Sequence, residues 1–388
     1  MIYEKKELPG KVQKIGFLLT GLGLVFVLVS YLVDPKREAF NNVIGLMFFA
    51  SIALGALVLV ALEYLSGAVW STPFRRVSEF IASSLPLVLL FAVPLFFAMH
   101  SIFHWTHTDV VSADKILSAK TPYLNIPFFI IRTVGVLALF YVFYLLFRRN
   151  SKKQDETKDQ KLTKVNVNLS AVFMFFAGIG LTVLVVDWVM SLEPHWFSTI
   201  LGIYFIAATL LAGLAVTTYA AVSLNEGGYF GVKISKDNYY SFGALLFAIT
   251  NFWAYVAFSQ FLLIWYANMP EETFWFIARW QGGWGFVSVL LMLVRFAVPY
   301  AMLLSQPSKS DPKNLKRVSV VILLAHFFDL YWLVMPTFSK TITFSFYEIG
   351  FPVLVIGLII LVFYAQAKKN NILPVGDPKL QRGLDFHL

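Results

Sequence analysis

Six ionisable residues stand inside stretches that are otherwise apolar: Glu63, Arg132, Asp187, Arg295, His326 and Asp329. A charge at the centre of a membrane helix costs ~2.5–3.5 kcal/mol on insertion scales, so each such group needs a partner, water or a function. Carboxylates and imidazoles placed through a hydrocarbon slab are what proton transfer uses, and a guanidinium supplies the fixed positive charge beside them. Asn251, Ser259 and Gln260 add uncharged hydrogen-bonding groups along one stretch. His326 and Asp329 are three residues apart and share a helix face, where a carboxylate can hold the imidazole charged or take its proton. Glu63, Asp187, Arg295, His326, Asp329, Asn251 and Gln260 therefore form a candidate proton path. The competing reading is a set of static ion pairs that fix helix register, with Arg132 facing Asp187 and Arg295 facing Asp329 or Glu63.

The histidines raise metal chemistry. His100, His104 and His107 follow one another at spacings of 4 and 3, on one face if the helix before them continues. A haem would need a second axial histidine from a facing helix, and only His195 and His326 are available. His195 belongs to a short connection, so a polar rim at the interface suits the cluster better than a metal. The chain has 0 cysteines, which excludes disulfides and cysteine-held iron–sulfur clusters. No phosphate-binding glycine loop is present, which argues against ATP-driven transport.

The elements that carry these residues follow from composition. The 388 residues are 58% hydrophobic and only 14% charged, far below the ~25% charged of an ordinary soluble chain. Ten continuous apolar runs reach the ~20 residues that span a bilayer: 15–33, 43–68, 80–99, 128–147, 171–190, 199–223, 240–266, 285–304, 318–335 and 347–367. Continuous rather than alternating runs predict helices, hence an all-α polytopic membrane protein forming a single transmembrane unit over residues 1–388. The first run follows Lys5, Lys6, Lys11 and Lys14; it is too long for a signal peptide and reads as a permanent helix.

Of the 31 lysines and arginines, 23 fall on connections of one side and 6 on the other, with Arg132 and Arg295 inside the runs. That asymmetry predicts cytoplasmic termini, a charged cytoplasmic loop at 148–170 and a cytoplasmic tail at 368–388. It explains the net charge of +9 without nucleic acid. Asp187 and Asp329 each precede a proline by seven residues, four helices apart, which hints at two four-helix bundles, helices 2–5 and 6–9, flanked by helices 1 and 10.

Longer motifs carry a resemblance. The stretch Asp187-Trp-Val-Met-Ser-Leu-Glu-Pro-His-Trp-Phe-Ser-Thr-Ile200, followed by Tyr204-Phe205, resembles the NrfD/PsrC-type membrane subunits of quinone-linked redox complexes. The stretch from Asn251 to Thr273, Ser305-Gln-Pro-Ser-Lys309, and His326-Phe-Phe-Asp-Leu-Tyr-Trp-Leu-Val-Met-Pro336 are most similar to the F subunit of bacterial alternative complex III. The resemblance covers essentially all ten helices. It implies a subunit of a quinol-oxidising respiratory or photosynthetic complex in the bacterial inner membrane, passing electrons to cytochrome c or an oxidase. It implies partners: a homologous NrfD-like membrane subunit, an iron–sulfur subunit and c-type cytochrome subunits. Haem c and iron–sulfur clusters would belong to those partners, leaving quinone or menaquinone, with lipid, as this chain's small-molecule contacts.

Quinone-binding relatives continue their helix 5 motif as Pro-Gly-Trp-His, whereas Pro194-His195-Trp196-Phe197 stands here. The shifted imidazole favours the sister subunit as the quinol site. If this chain binds quinone, Arg132, Asp187, His104, His195 and Trp196 are its candidate pocket. Three classes thus stand at this point: a proton-conducting subunit without a redox centre, a quinone-binding redox subunit, and an independent secondary transporter.

Overall fold

A computed structural model describes residues 6–232 and 234–388. Lys5 and Lys233, both counted on the basic side, lie outside the described residues. The described chain is all-α, with ten helices long and apolar enough to cross a membrane. They are α1 (Gly10–Val33), α2 (Pro35–Ser66), α3 (Thr72–Ile102), α4 (Ile126–Thr157), α5 (Lys161–Leu192), α6 (Leu201–Glu226), α7 (Lys236–Ala267), α8 (Trp284–Met302), α9 (Pro312–Phe338) and α10 (Phe346–Lys369). All ten runs correspond to helices, and most helices outrun the apolar stretch that reveals them. The apolar window measures the hydrocarbon, while polar caps extend the helix beyond it. Asp34 accepts from the Arg37 backbone N–H at 3.0 Å, so α2 starts at Pro35 rather than near 43. Asn125, Ser235 and Asp311 cap α4, α7 and α9 in the same way.

The axis is α2, of whose apolar stretch 94% is buried. It packs on α3, α5, α6, α9 and α10. In lipid no hydrophobic force draws helices together, so close approach depends on small residues. Gly55 and Gly213 let α2 and α6 touch backbone to backbone: a Cβ on Gly55 would lie 2.2 Å from the Thr209 carbonyl oxygen. α1 lies at the rim, only 22% buried, and leans mainly on α10. There too glycines set the distance, since a Cβ on Gly23 or Gly357 would meet the other helix's backbone nitrogen at 2.4 Å.

Two helices are irregular. α3 breaks at Ser83 and Ser84, whose hydroxyls donate to the Phe80 and Ile81 carbonyls, and resumes at Leu85. α8 widens into a π turn over Leu293–Ala297, with Arg295 at its centre.

The charged segment 148–170 is not an open loop. α4 runs on to Thr157 and α5 begins at Lys161, leaving a turn of 158–160. Its polar groups zip the two helices together: Gln154 Nε2 donates to Thr163 Oγ1 at 2.7 Å and Asn150 Nδ2 to Asn166 Oδ1 at 2.8 Å. The segment 368–388 is likewise docked. Gly376 N–H donates to Asp155 at 3.1 Å, and the Gly383 carbonyl accepts from Asn238 at 3.2 Å.

Candidate functional site

The polar residues inside the helices gather into separate groups. The deepest lies where α2, α6, α7, α8 and α9 meet. Asp329 and His326 are fully buried on α9, and Arg295 on α8 is buried with them. Arg295 Nη2 stands 3.3 Å from Asp329 Oδ2, an ion pair without an aligned hydrogen bond. The Tyr204 hydroxyl donates to Asp329 Oδ1. The Trp253 ring lies under the guanidinium, 4.4 Å from its centre, a cation–π contact. His326 does not bond Asp329, although both occupy one helix. Its Nε2 pairs with Ser51 Oγ of α2 at 2.6 Å, while Tyr204 donates to the carboxylate and Arg295 stands beside it.

This group is short of hydrogen bonds. All three guanidinium nitrogens of Arg295, Asp329 Oδ2, His326 Nδ1 and Trp253 Nε1 are buried without a hydrogen-bond partner in the protein. Thr209, Thr250 and Gln260 Nε2 are in the same state. Leaving one such atom unpaired costs ~1–3 kcal/mol, more when it is charged, so a concentration of them implies internal water.

Asn251 stands apart from that group. Half-buried, it donates to the Phe247 carbonyl of its own helix at 2.7 Å, and Trp253 takes the position against Arg295. Tyr204, Ser51 and Trp253 are participants that carry no charge in the sequence. The only signal for Tyr204 is its place in a motif.

A second group occupies the basic face. Glu63 at the end of α2 accepts from Arg75 Nη1 at 3.0 Å. Arg75 Nη2 donates to Asp377 of the tail at 2.6 Å, and its Nε lies 3.7 Å from Glu79. Arg76 binds Glu79 at 3.1 Å, the Ser151 carbonyl at 3.1 Å, and Asp155. Arg75 and Arg76 read from the sequence as topology-setting loop charges, yet both are buried.

The third group is the pair Arg132–Asp187, which forms as its adjacent helices allow. The contact is bidentate at 2.8 and 2.9 Å, and Arg132 also donates to the Tyr123 carbonyl at 2.8 Å. Burial beside Asp187 pushes the Tyr123 phenol up to about 12. A fourth group escaped the sequence reading: Arg37 grips Glu348 at 2.8 and 2.9 Å, beside the buried Glu38 and Asn41. Glu348 sits within the tenth run but next to its edge. Among the described residues no hydrogen bond connects any of these four groups to another.

The candidate quinone pocket is only partly assembled. Tyr123, Lys120 and Trp196 line a small cavity of about 230 Å³, below the ~300 Å³ at which ligand pockets begin. Trp196 is stacked on Trp275 at 4.3 Å, so its ring is already packed. Arg132 and Asp187 are engaged with each other. His195 turns away to Asp114 at 2.5 Å, and His104 does not line the cavity. The His195 contact holds the Asp114 carboxyl below its usual range. These residues therefore do not fit a quinone ring at this place.

The His100, His104 and His107 series is not one helical face. α3 stops at Ile102, and Phe103 and His107 are extended. His107 Nε2 instead meets the His100 carbonyl at 2.8 Å. Among the described residues no three histidine, cysteine or carboxylate side chains converge as a metal site requires.

Arg279, in the connection before α8, is a further buried cation. It lies over Trp275 at 3.2 Å and donates to the carbonyls of Trp275, Trp332 and Leu333. Burial works against its charge, and the Glu193 carboxylate opposes that. No protein-family model matches the chain, and no curated protein matches it.

Proposed function

We propose that this chain is a proton-conducting membrane subunit of a quinol-oxidising electron-transfer complex, with no redox centre of its own. The observation that carries the proton reading is the Arg295–Asp329–Tyr204–His326–Ser51 group. It is deeply buried and the poorest in partners, and five of its buried polar atoms, with Trp253 Nε1 beside them, want water. Water beside a carboxylate, a phenol and an imidazole makes a route on which protons can hop. Glu63 and Asp187 are the candidate terminal groups towards the two faces.

The complex itself rests on the motif resemblance. On that reading the partners are a homologous NrfD-like membrane subunit, an iron–sulfur subunit and c-type cytochromes, in a bacterial inner membrane. The basic face, with both termini, is then cytoplasmic, as the 23 to 6 division of lysine and arginine favours. The transporter reading gains one observation, the π turn at Arg295. The other irregular helix, α3, does not pack closely against α8, whereas such sites use broken helices in facing pairs.

Proteoliposomes with a trapped pH dye and a clamped potential test the proton reading. Asp329→Asn lowers proton flux at least tenfold, and Glu63→Gln lowers it less, because Glu63 is locked to Arg75. Unchanged flux in Asp329→Asn would refute conduction through this group. Affinity purification from native membranes tests the complex: covalently bound haem co-purifies with the chain, and a chain that emerges alone, without haem absorbance, rules the complex out.

A further inference from the structure

The larger cavity is at the other end of the molecule from the pocket expected for quinone. It has a volume of about 520 Å³ and lies between α2, α3, α6 and α7 on the basic face. That is the size of a small-molecule site, and its walls divide by chemistry. One wall is aromatic: Trp70 and Phe74 both pack on Phe242, with ring centres 5.0 and 4.8 Å away. The deeper wall is aliphatic, with Leu59, Leu62 and Leu245. The polar part presents mainly acceptors, beside two unpaired donors, the Ser71 hydroxyl and Arg75 Nε. Ser66 and Ser241 line it with their protons already donated to the Leu62 and Asp237 carbonyls, at 2.6 and 2.9 Å, so they offer a visitor lone pairs. The Glu63 carboxylate is there too, and Arg75 occupies only part of its four or so acceptor positions.

Charge narrows the visitor further. Around this wall two guanidiniums, Arg75 and Arg76, are shared by four carboxylates, Glu63, Glu79, Asp155 and Asp377. The Lys379 ammonium also lies near, 3.7 Å from where a Cβ on Gly67 would stand, and four carboxylates still outnumber the three cations, so a lipid phosphate would meet net negative charge. A flat uncharged ring with hydroxyl donors fits all three walls: the ring against the aromatic side, its hydroxyls on Glu63 and the serines, an apolar tail along the leucines.

We propose that this cavity binds a hydroxylated aromatic ring carrying an apolar tail, of the hydroquinone class. Identifying the ring with a quinol rests on the function proposed above, whereas the cavity and its preference for hydroxyl donors do not. A chain that conducts protons but binds no such ring loses only this site.

The test is binding to the full chain in phosphatidylcholine nanodiscs, followed by isothermal titration. Three probes are used: a short-tailed benzohydroquinone, its di-O-methyl ether, and dioctanoylglycerol as a lipid hydroxyl. The hydroquinone binds saturably, and the ether binds at least tenfold more weakly because it has lost its donors. Glu63→Gln weakens the hydroquinone about tenfold, as removal of one hydrogen bond to a charged group does. Ala244→Phe, on α7 in the cavity wall, abolishes binding and keeps the Arg75 network, so it reads the site even if Glu63→Gln fails to fold. Equal affinity of ether and hydroquinone, or wild-type binding by Ala244→Phe, overturns the proposal. Displacement of the hydroquinone by an equal concentration of dioctanoylglycerol overturns the ring and leaves a lipid-hydroxyl site.

Discussion

Arg75 and Arg295 are both sealed inside the chain, and their surroundings are opposites. Arg75 has both terminal nitrogens bonded to carboxylates, and a third carboxylate lies near its Nε. Arg295 has one carboxylate nearby, an aromatic ring beneath it, and no nitrogen with a hydrogen bond from the protein. A network met by its own side chains at every terminal guanidinium nitrogen, with only Arg75 Nε and Arg76 Nε unbonded, has one arrangement, and it holds α2, α3, α4 and the tail in place. A network short of partners depends on mobile molecules to complete it. The first is built like an anchor and the second like a passage.

That contrast can be broken most directly at the anchor. Arg75→Ala strands Glu63 and Asp377 in a buried site, leaving Glu79 to Arg76, and removal of one partner from a buried pair costs roughly 3–5 kcal/mol. Thermal unfolding in detergent therefore shows a large loss of stability. A mild effect would mean that the anchor is already hydrated and the distinction false. Asp329→Asn comes next: its stability loss is smaller than that of Arg75→Ala, while its proton flux falls as described above. The reverse ranking would exchange the two roles.

Ser51→Ala removes the one hydrogen-bond partner that His326 has among the described residues and costs about 1–3 kcal/mol if no water replaces the hydroxyl. A loss below that range in the same unfolding assay marks replacement by water and sharpens the case for a wet interior. The smallest effect belongs to Asp114, outside the helices. Its carboxyl is lowered by His195, so the contact stabilises above the ordinary carboxylate range and is lost as pH falls through the lowered value. The difference in melting temperature between wild type and Asp114→Asn closes on acidification, and a difference that persists at the acid end removes the linkage.

The helices were legible because ten apolar runs announce themselves by length alone, and the pair Arg132–Asp187 because adjacent helices put both residues near the same end. Arg295–Asp329 was legible as one of two choices. Other features depended on information that no local pattern holds. Asp377 reaches Arg75 across 302 residues of sequence, so a tail that looks solvated is part of the buried network. Arg75 and Arg76 lie in a stretch whose charges also satisfy the topology rule, and that simpler explanation hid their burial. Polar groups between α4 and α5 mimic a loop because periodicity in a long polar helix is weak. Arg37, Glu38 and Glu348 fall at the edges of apolar windows, where a charge costs little and draws no notice. Tyr204, Ser51 and Trp253 are ordinary residues of membrane helices until a charged neighbour gives them a role.

The seam between α1 and α10 has a consequence for how the chain is made. α1 leaves the ribosome well before α10, and it leans chiefly on α10. During synthesis α1 must wait in lipid, with Gly23 unmatched, until α10 arrives beside it. Any arrest of translation before residue 350 leaves that waiting helix as an exposed mark of incompleteness, which membrane quality control can read.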